Sequence, residues 1–226
     1  MKKILCLGLI LLILASFVGC SAKNDNSTPT NANDSADDYS YSKLNDYVIL
    51  NLYLGADKTP EIPEKIEGLP VKIIGTGCFA GSKVEVVTIP ETVTEIWETA
   101  FLNCRNLKSI TLNENITKIN IKTFEGCEAL ETVALPENLE IIEHHAFLNC
   151  KNLKTIEIPA TVSKIDYYAF YDTGLTEVNF SGDAPTEWGE SVFGPDTQNL
   201  TLYHPADAHG WDDEKFSAYT LSASNN

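Results

Sequence analysis

Residues able to do chemistry are scattered through this 226-residue chain. A serine sits in Gly189-Glu190-Ser191-Val192-Phe193, close to the G-x-S-x-G elbow that exposes a nucleophile, but its fifth position is Phe. Any two of Glu125, Glu128 and Glu131 could be drawn as an acid/base pair, yet nothing in the pattern buries one of them to raise its pKa. His144 and His145 are neighbours on a turn and therefore diverge, which makes a poor chelate. His204, Asp207, His209 and Asp212 gather imidazole and carboxylate donors in the closing segment, where turn and cap duties account for them as well. The residue types predict no catalytic centre, no metal site and no cofactor.

Cysteine gives the same answer. Of six cysteines, Cys6 falls in an apolar leader and Cys20 at its end, leaving Cys78, Cys104, Cys127 and Cys150. The last three recur every 23 residues. They therefore stack in one column, at a Cα separation that would suit a disulfide but with side chains pointing the same way. Buried thiols acting as small apolar fillers are expected, with disulfides the alternative. No CxxC pair exists to suggest zinc.

The elements that position these residues follow from a repeat. Phe79, Phe101, Phe124, Phe147, Phe170 and Phe193 fall at spacings of 22 or 23, and Ile74, Ile96, Ile119, Ile142, Ile165 and Trp188 keep the same interval. Ile89, Leu112, Leu135, Ile158 and Phe180 form a third column, and Leu107, Leu130 and Leu153 a fourth. Such periodicity marks a solenoid whose units bury their apolar side only against their neighbours. Alternation in Lys154-Thr155-Ile156-Glu157-Ile158 predicts a short half-buried strand, punctuated by Pro159 as by Pro90 and Pro136. Asn113 stands where the intervening unit would have Pro. Ala146-Phe147-Leu148-Asn149-Cys150 predicts a single helical turn, kept narrow by the small residue ahead of each Phe. Strands recurring once per coil must pair in parallel.

The pattern L-x-x-I-x-I-P-x-x-V-x-x-I-x-x-x-A-F-x-x-C-x-x-L, running from Leu130 to Leu153 and again to Leu175 with Thr173 in place of Cys, resembles the BspA-type leucine-rich repeat of bacterial surface proteins. The resemblance covers residues 62 to about 193. It implies an α/β fold, a right-handed leucine-rich-repeat solenoid with short parallel β-strands, single helical turns and β-rich caps. It further implies an extracellular protein concerned with adhesion, and it brings no catalytic residues to transfer.

In chain order, residues 1–19 read as a secretory leader, too short and wrongly flanked for a retained membrane span. Val18-Gly19-Cys20 resembles a lipobox, although Phe17 departs from the usual Leu; an ordinary cleaved leader is the alternative. An acylated Cys20 would anchor the chain to a bacterial membrane or cell surface without spanning it. Residues 20–38 hold no large apolar side chain and predict a solvated tether with an r.m.s. reach of roughly 23 Å. Residues 39–61 predict an N-terminal cap with a strand near Tyr47–Gly55, 62–193 the repeats, and 194–226 a C-terminal cap. Ser222–Asn226 read as a frayed tail.

The formal charge is −16, and losing Lys2 and Lys3 with the leader takes it to about −18. That sign excludes nucleic acid and opposes docking flat on anionic lipid. The remaining partner is an extracellular protein or glycan, met by a monomer. One candidate surface is the turn ahead of each Phe, where stacking would bring Ile121, His144 and Tyr167 into one stripe beside Trp97, with Tyr168 adjacent. A second is the sheet face carrying Thr111, Thr155 and Glu157. A non-enzymatic surface interaction module is the first reading, a structural or assembly lipoprotein holding an envelope partner the second, and an extracellular hydrolase the least favoured.

Overall fold

The computed structural model describes residues 35–195 and 197–224. The expected leader, Cys20 and the tether as far as residue 34 lie outside the described residues.

The repeat closes into a parallel-strand solenoid. Its strands are β1 (Tyr39–Lys43), β2 (Val48–Tyr53), β3 (Lys65–Ile66), β4 (Leu69–Ile74), β5 (Val86–Thr88), β6 (Glu95–Ile96), β7 (Ser109–Thr111) and β8 (Lys118–Ile119). They continue with β9 (Thr132–Ala134), β10 (Ile141–Ile142), β11 (Thr155–Ile158), β12 (Lys164–Ile165), β13 (Glu177–Phe180), β14 (Glu187–Trp188), β15 (Thr201–Pro205) and β16 (Thr220–Ser224). One side of each coil carries the alternating strand foreseen in the sequence, paired as β5-β7-β9 and as β11-β13-β15-β16. A second side, not foreseen as strand, carries the two-residue strands of the isoleucine column, β8-β10-β12-β14, with β6 joining β4. From β4 to β15 the pairings between coils are parallel, while β3 turns back on β4 as an antiparallel pair.

The six phenylalanines form one file. Consecutive centroids from Phe79 to Phe193 lie 4.9, 5.6, 5.2, 5.1 and 5.5 Å apart, with interplanar angles between 3° and 21°. Around them Ile96, Ile119, Ile142, Leu107, Leu130 and Leu153 are buried. At about 1.5–3 kcal/mol per large apolar side chain removed from water, several are needed to offset ordering of each 23-residue coil.

The third side corrects one expectation. No α-helix occurs among the described residues, only 3-10 turns at Ser35–Asp38 and Glu214–Phe216. Ahead of each Phe the chain forms linked tight turns instead of a helical turn. Alternate N–H groups look back three residues, as from Ala146 to Glu143 O at 3.2 Å and from Cys150 to Phe147 O at 3.1 Å. The others reach into the next coil: His145 N to Tyr167 O at 3.3 Å, Phe147 N to Ala169 O at 2.7 Å and Asn149 N to Tyr171 O at 3.0 Å. A helix would spend every N–H within its own turn and leave the coils unlinked on this side. The alternation is achieved by two left-handed residues per turn. One column is Gly77, Thr99, Lys122, His145, Tyr168 and Ser191; the other is Gly81, Asn103, Gly126, Asn149 and Asp172. Gly, Asn and Asp adopt this conformation readily, so the second column fits its residues, while the first after Gly77 holds residues that adopt it less readily.

Polar substitutions inside the core are satisfied. Asn113, which replaces Pro, is 5% exposed and donates from Nδ2 to Pro90 O at 2.6 Å and Val93 O at 3.0 Å, while its Oδ1 accepts from Asn115 N at 2.8 Å. Thr123, which replaces Ala, turns its hydroxyl to Asn120 O at 2.7 Å. The four cysteines are buried free thiols.

The ends differ from expectation in three places. Ala36, assigned to the tether, packs against the core. Strand β2, assigned to a cap, is itself a parallel rung on β4, and Tyr53 carries the aromatic file one ring further, 5.1 Å from Phe79. Ser222–Ser224 are not frayed: they belong to β16, paired along β15 as far as Pro205↔Ser224, while Asn225 and Asn226 lie outside the described residues. Trp211 closes the core, 4.6 Å from Phe180 and 4.9 Å from Phe216.

Candidate functional site

The turn side raises the residue before each left-handed position of the first column to the surface, together with the left-handed residue itself. In most coils that pair is unremarkable, such as Glu98-Thr99. In two successive coils it is His144-His145 and Tyr167-Tyr168, and the 23-residue spacing sets like on like.

His144 lies flat on Tyr167, centroids 4.7 Å apart at 6°, and His145 lies on Tyr168 at 5.5 Å and 25°. Edge contacts tie the two stacks together: His144 to His145 at 5.4 Å, Tyr167 to Tyr168 at 5.6 Å and His145 to Tyr167 at 5.5 Å. Tyr171 adds a fifth ring, edge-on to Tyr168 at 5.2 Å. Tyr167 is 38% exposed, the most open of the five. Gly189 completes the setting, since a Cβ there would run into the backbone of Tyr167.

Charge frames the cluster. Glu143 pairs with Lys118 at 2.6 Å and with Lys164 at 3.7 Å, and Asp166 pairs with Lys164 at 3.2 Å. Burial pushes the Asp166 carboxyl up, but the Tyr167 N–H at 2.7 Å and the Lys164 ammonium outweigh it and hold it below the usual carboxylate range. Burial, aided by Lys122, holds the His145 imidazole below its ordinary value, and its Nδ1 is buried without a hydrogen-bond partner. Among the described residues, Glu143, His144 and Asp166 are the set whose donor atoms come within metal-ligand reach, all within 4.8 Å of one another. Lysine ammoniums already sit against both carboxylates, so a cation there would have to displace them.

Of the residues singled out in the sequence, His144, Tyr167 and Tyr168 come together and Ile121 lies half-buried one coil away. Trp97 does not join them. It occupies the preceding column position and donates from Nε1 to Glu95 Oε2 at 2.8 Å, and no ring contact among the described residues links it to the cluster. Thr111, Thr155 and Glu157 lie exposed on the other sheet, Glu157 accepting from Asn179 Nδ2 at 2.8 Å. Strands β9 and β11 do not pair, so Thr111 and Thr155 stand on two separate runs of that sheet. The sequence weighs His145 only as a poor chelate beside His144 and does not bring in Tyr171; the signal for His145 as a surface ring is its exact repeat distance from Tyr168.

The closing-segment donors disperse as cap chemistry. His204 stacks on Trp211 at 5.0 Å and 9°, while the His209 N–H donates to Asp183 Oδ1 at 2.7 Å. No helix among the described residues is long and apolar enough to cross a membrane.

A family profile described as the BspA type leucine rich repeat region matches residues 72–200 in six copies. Among solved structures, a leucine-rich repeat protein of T. pallidum is similar at 23% identity and a TM-score of 0.54, over 84% of this chain and 81% of that one. One from Bacteroides ovatus matches at 20% and 0.45, over 83% and 75%. The pneumococcal vaccine antigen PcpA matches at 16% and 0.49, over 85% of this chain and 48% of its own. Comparison with curated proteins finds no match.

Proposed function

The chain belongs to the BspA-type leucine-rich repeat family, and from that premise we propose that it is a non-enzymatic interaction module displayed outside a bacterial cell, contacting a protein or glycan through its turn face. The observation that carries this reading is the doubled stack of His144 on Tyr167 and His145 on Tyr168. Flat, partly exposed rings with polar edges, held by hydrogen bonds between coils, offer area with little left to order on binding. Exposed aromatic groups of this kind are enriched at interaction surfaces. Members of this family are typically bacterial surface proteins, which agrees with a leader at 1–19 and an acylated Cys20 as anchor.

The test is capture on immobilised extracellular matrix proteins and mucin glycans, repeated with Tyr167→Ala and with Trp97→Ala. Binding that falls with Tyr167→Ala and survives Trp97→Ala supports the stacked cluster as the contact surface. Binding indifferent to both removes it. Turnover of a substrate abolished by one point substitution would instead make the protein an enzyme.

A further inference from the structure

The alternating sheet begins abruptly at β5. One repeat upstream, the chain between residues 59 and 64 includes Pro60 and Pro63, which cannot donate to a ladder, and no strand forms there. That segment stands beside β5 as a wall, leaving a groove of about 490 Å³ between them. Its apolar lining includes Pro60, Ile62, Ile89 and the half-exposed Val86. Its acidic lining is Glu61, Glu64 and Glu91, and no basic residue lines it.

The outer side of the β5 backbone is taken at its start, where Glu85 N also donates to Lys58 O at 2.6 Å, and is open at Thr88. Ile89 N donates inward to Thr111 O at 2.9 Å, whereas Val86 N donates outward to Lys58 O at 3.2 Å. Successive residues of a strand face opposite partners, so Thr88, two beyond Val86, turns its N–H and C=O toward the groove. An edge strand with outward peptide groups is a template for another strand.

The geometry points to a second binding surface: the β5 groove takes an extended, lysine- or arginine-rich segment of a partner protein, added as one more strand against Thr88 with its apolar side chains on the exposed Val86. Charge decides the occupant. Another copy of this chain would bring a formal charge of −16 to carboxylates, whereas alternating basic residues would meet Glu64 and Glu91, neither of which enters a salt bridge among the described residues.

The experiment uses the purified full chain and a fluorescein-labelled hexapeptide of alternating lysine and valine, read by anisotropy, with hydrogen exchange at the Thr88 amide as the site readout. Saturable binding that slows Thr88 exchange, weakens at least tenfold in the Glu64→Lys/Glu91→Lys variant with an unchanged melting temperature, and fades with salt is the expected result. Methylating the peptide's backbone nitrogens tests the strand pairing without altering the protein, and should abolish binding. Equal binding of the methylated peptide, equal binding of a glutamate-valine peptide, or protection at Tyr167 instead of Thr88 would each overturn the proposal. So would a concentration-dependent dimer that protects Thr88 without peptide, since a second copy would then fill the groove.

Discussion

The thiol of Cys127 donates to the carbonyl oxygen of Phe101, 3.2 Å away in the preceding coil. Cys104 does the same to Phe79 O at 3.0 Å and Cys150 to Phe124 O at 3.2 Å. The stacked cysteines therefore link each turn to the carbonyl one coil back, which is why they neither pair with each other nor stand as plain apolar fillers. Burial pushes the Cys78 thiol up to about 12 and raises Cys150, while the neighbouring Cys104 thiol, with burial behind it, raises Cys127. Four fewer thiols should react with a disulfide reagent in the native chain than in denaturant. Cys127→Ala should cost about 1–2 kcal/mol by chemical denaturation, the Phe101 carbonyl keeping its bond from Cys104 N.

Phe124 is fully buried between Phe101 and Phe147. Phe124→Ala should cost about 3–5 kcal/mol, and because each coil is held only by its neighbours the loss should spread to adjacent coils. Urea denaturation of the variant should show a reduced midpoint; an unchanged one would contradict a continuous core.

Thr99 holds φ at 58° with a β-branched side chain, in the column where the first coil has Gly77. Thr99→Gly should stabilise by about 0.5–1 kcal/mol, relief of backbone strain outweighing the Thr99 hydroxyl bond to Glu98 O at 2.6 Å. Thermal melting of Thr99→Gly and Thr99→Asn checks this, with both expected above the parent.

His145 has a folded pKa below its ordinary 6.5. Its stability contribution is therefore complete above pH 6.5 and is lost as pH falls toward the lower folded value, because the unfolded chain binds the proton first. The melting temperature should drop between pH 7.5 and 5.5, and the drop should shrink in His145→Asn, which tolerates the positive φ of 59°.

Glu85 bridges Lys108 at 2.8 Å and Lys58 at 2.6 Å, and hydrogen bonds from both ammoniums lower its carboxyl from 4.5 to about 2. A depressed carboxyl stabilises above the unfolded pKa and is lost as pH falls toward about 2. Glu85→Gln should flatten the acid side of the stability curve in that window, by a small amount given the exposure of the pair.

The parallel coils, the phenylalanine file and the small residues before Phe101, Phe124, Phe147 and Phe170 are legible because identical neighbours force identical placement. A two-residue strand such as Lys118–Ile119 has no room to show alternation, so the second sheet was not. Nor was the turn conformation, since Thr99, Lys122 and His145 share no left-handed preference and are held there by hydrogen bonds to the next coil. His144 and Tyr167 could be placed together by spacing alone. The separation of Trp97 from them could not, because one column of offset decides which neighbour its ring meets. The β5 groove depends on what is missing upstream, a strand that Pro60 and Pro63 prevent.

The most direct test of the turn face as the contact surface is the affinity of the His144→Ala/Tyr167→Ala variant for the matrix protein or mucin glycan that the parent chain binds best, measured by biolayer interferometry. A loss of at least tenfold with native circular dichroism and exchange protection retained is the predicted result. An affinity equal to the parent's would place the contact elsewhere and contradict it.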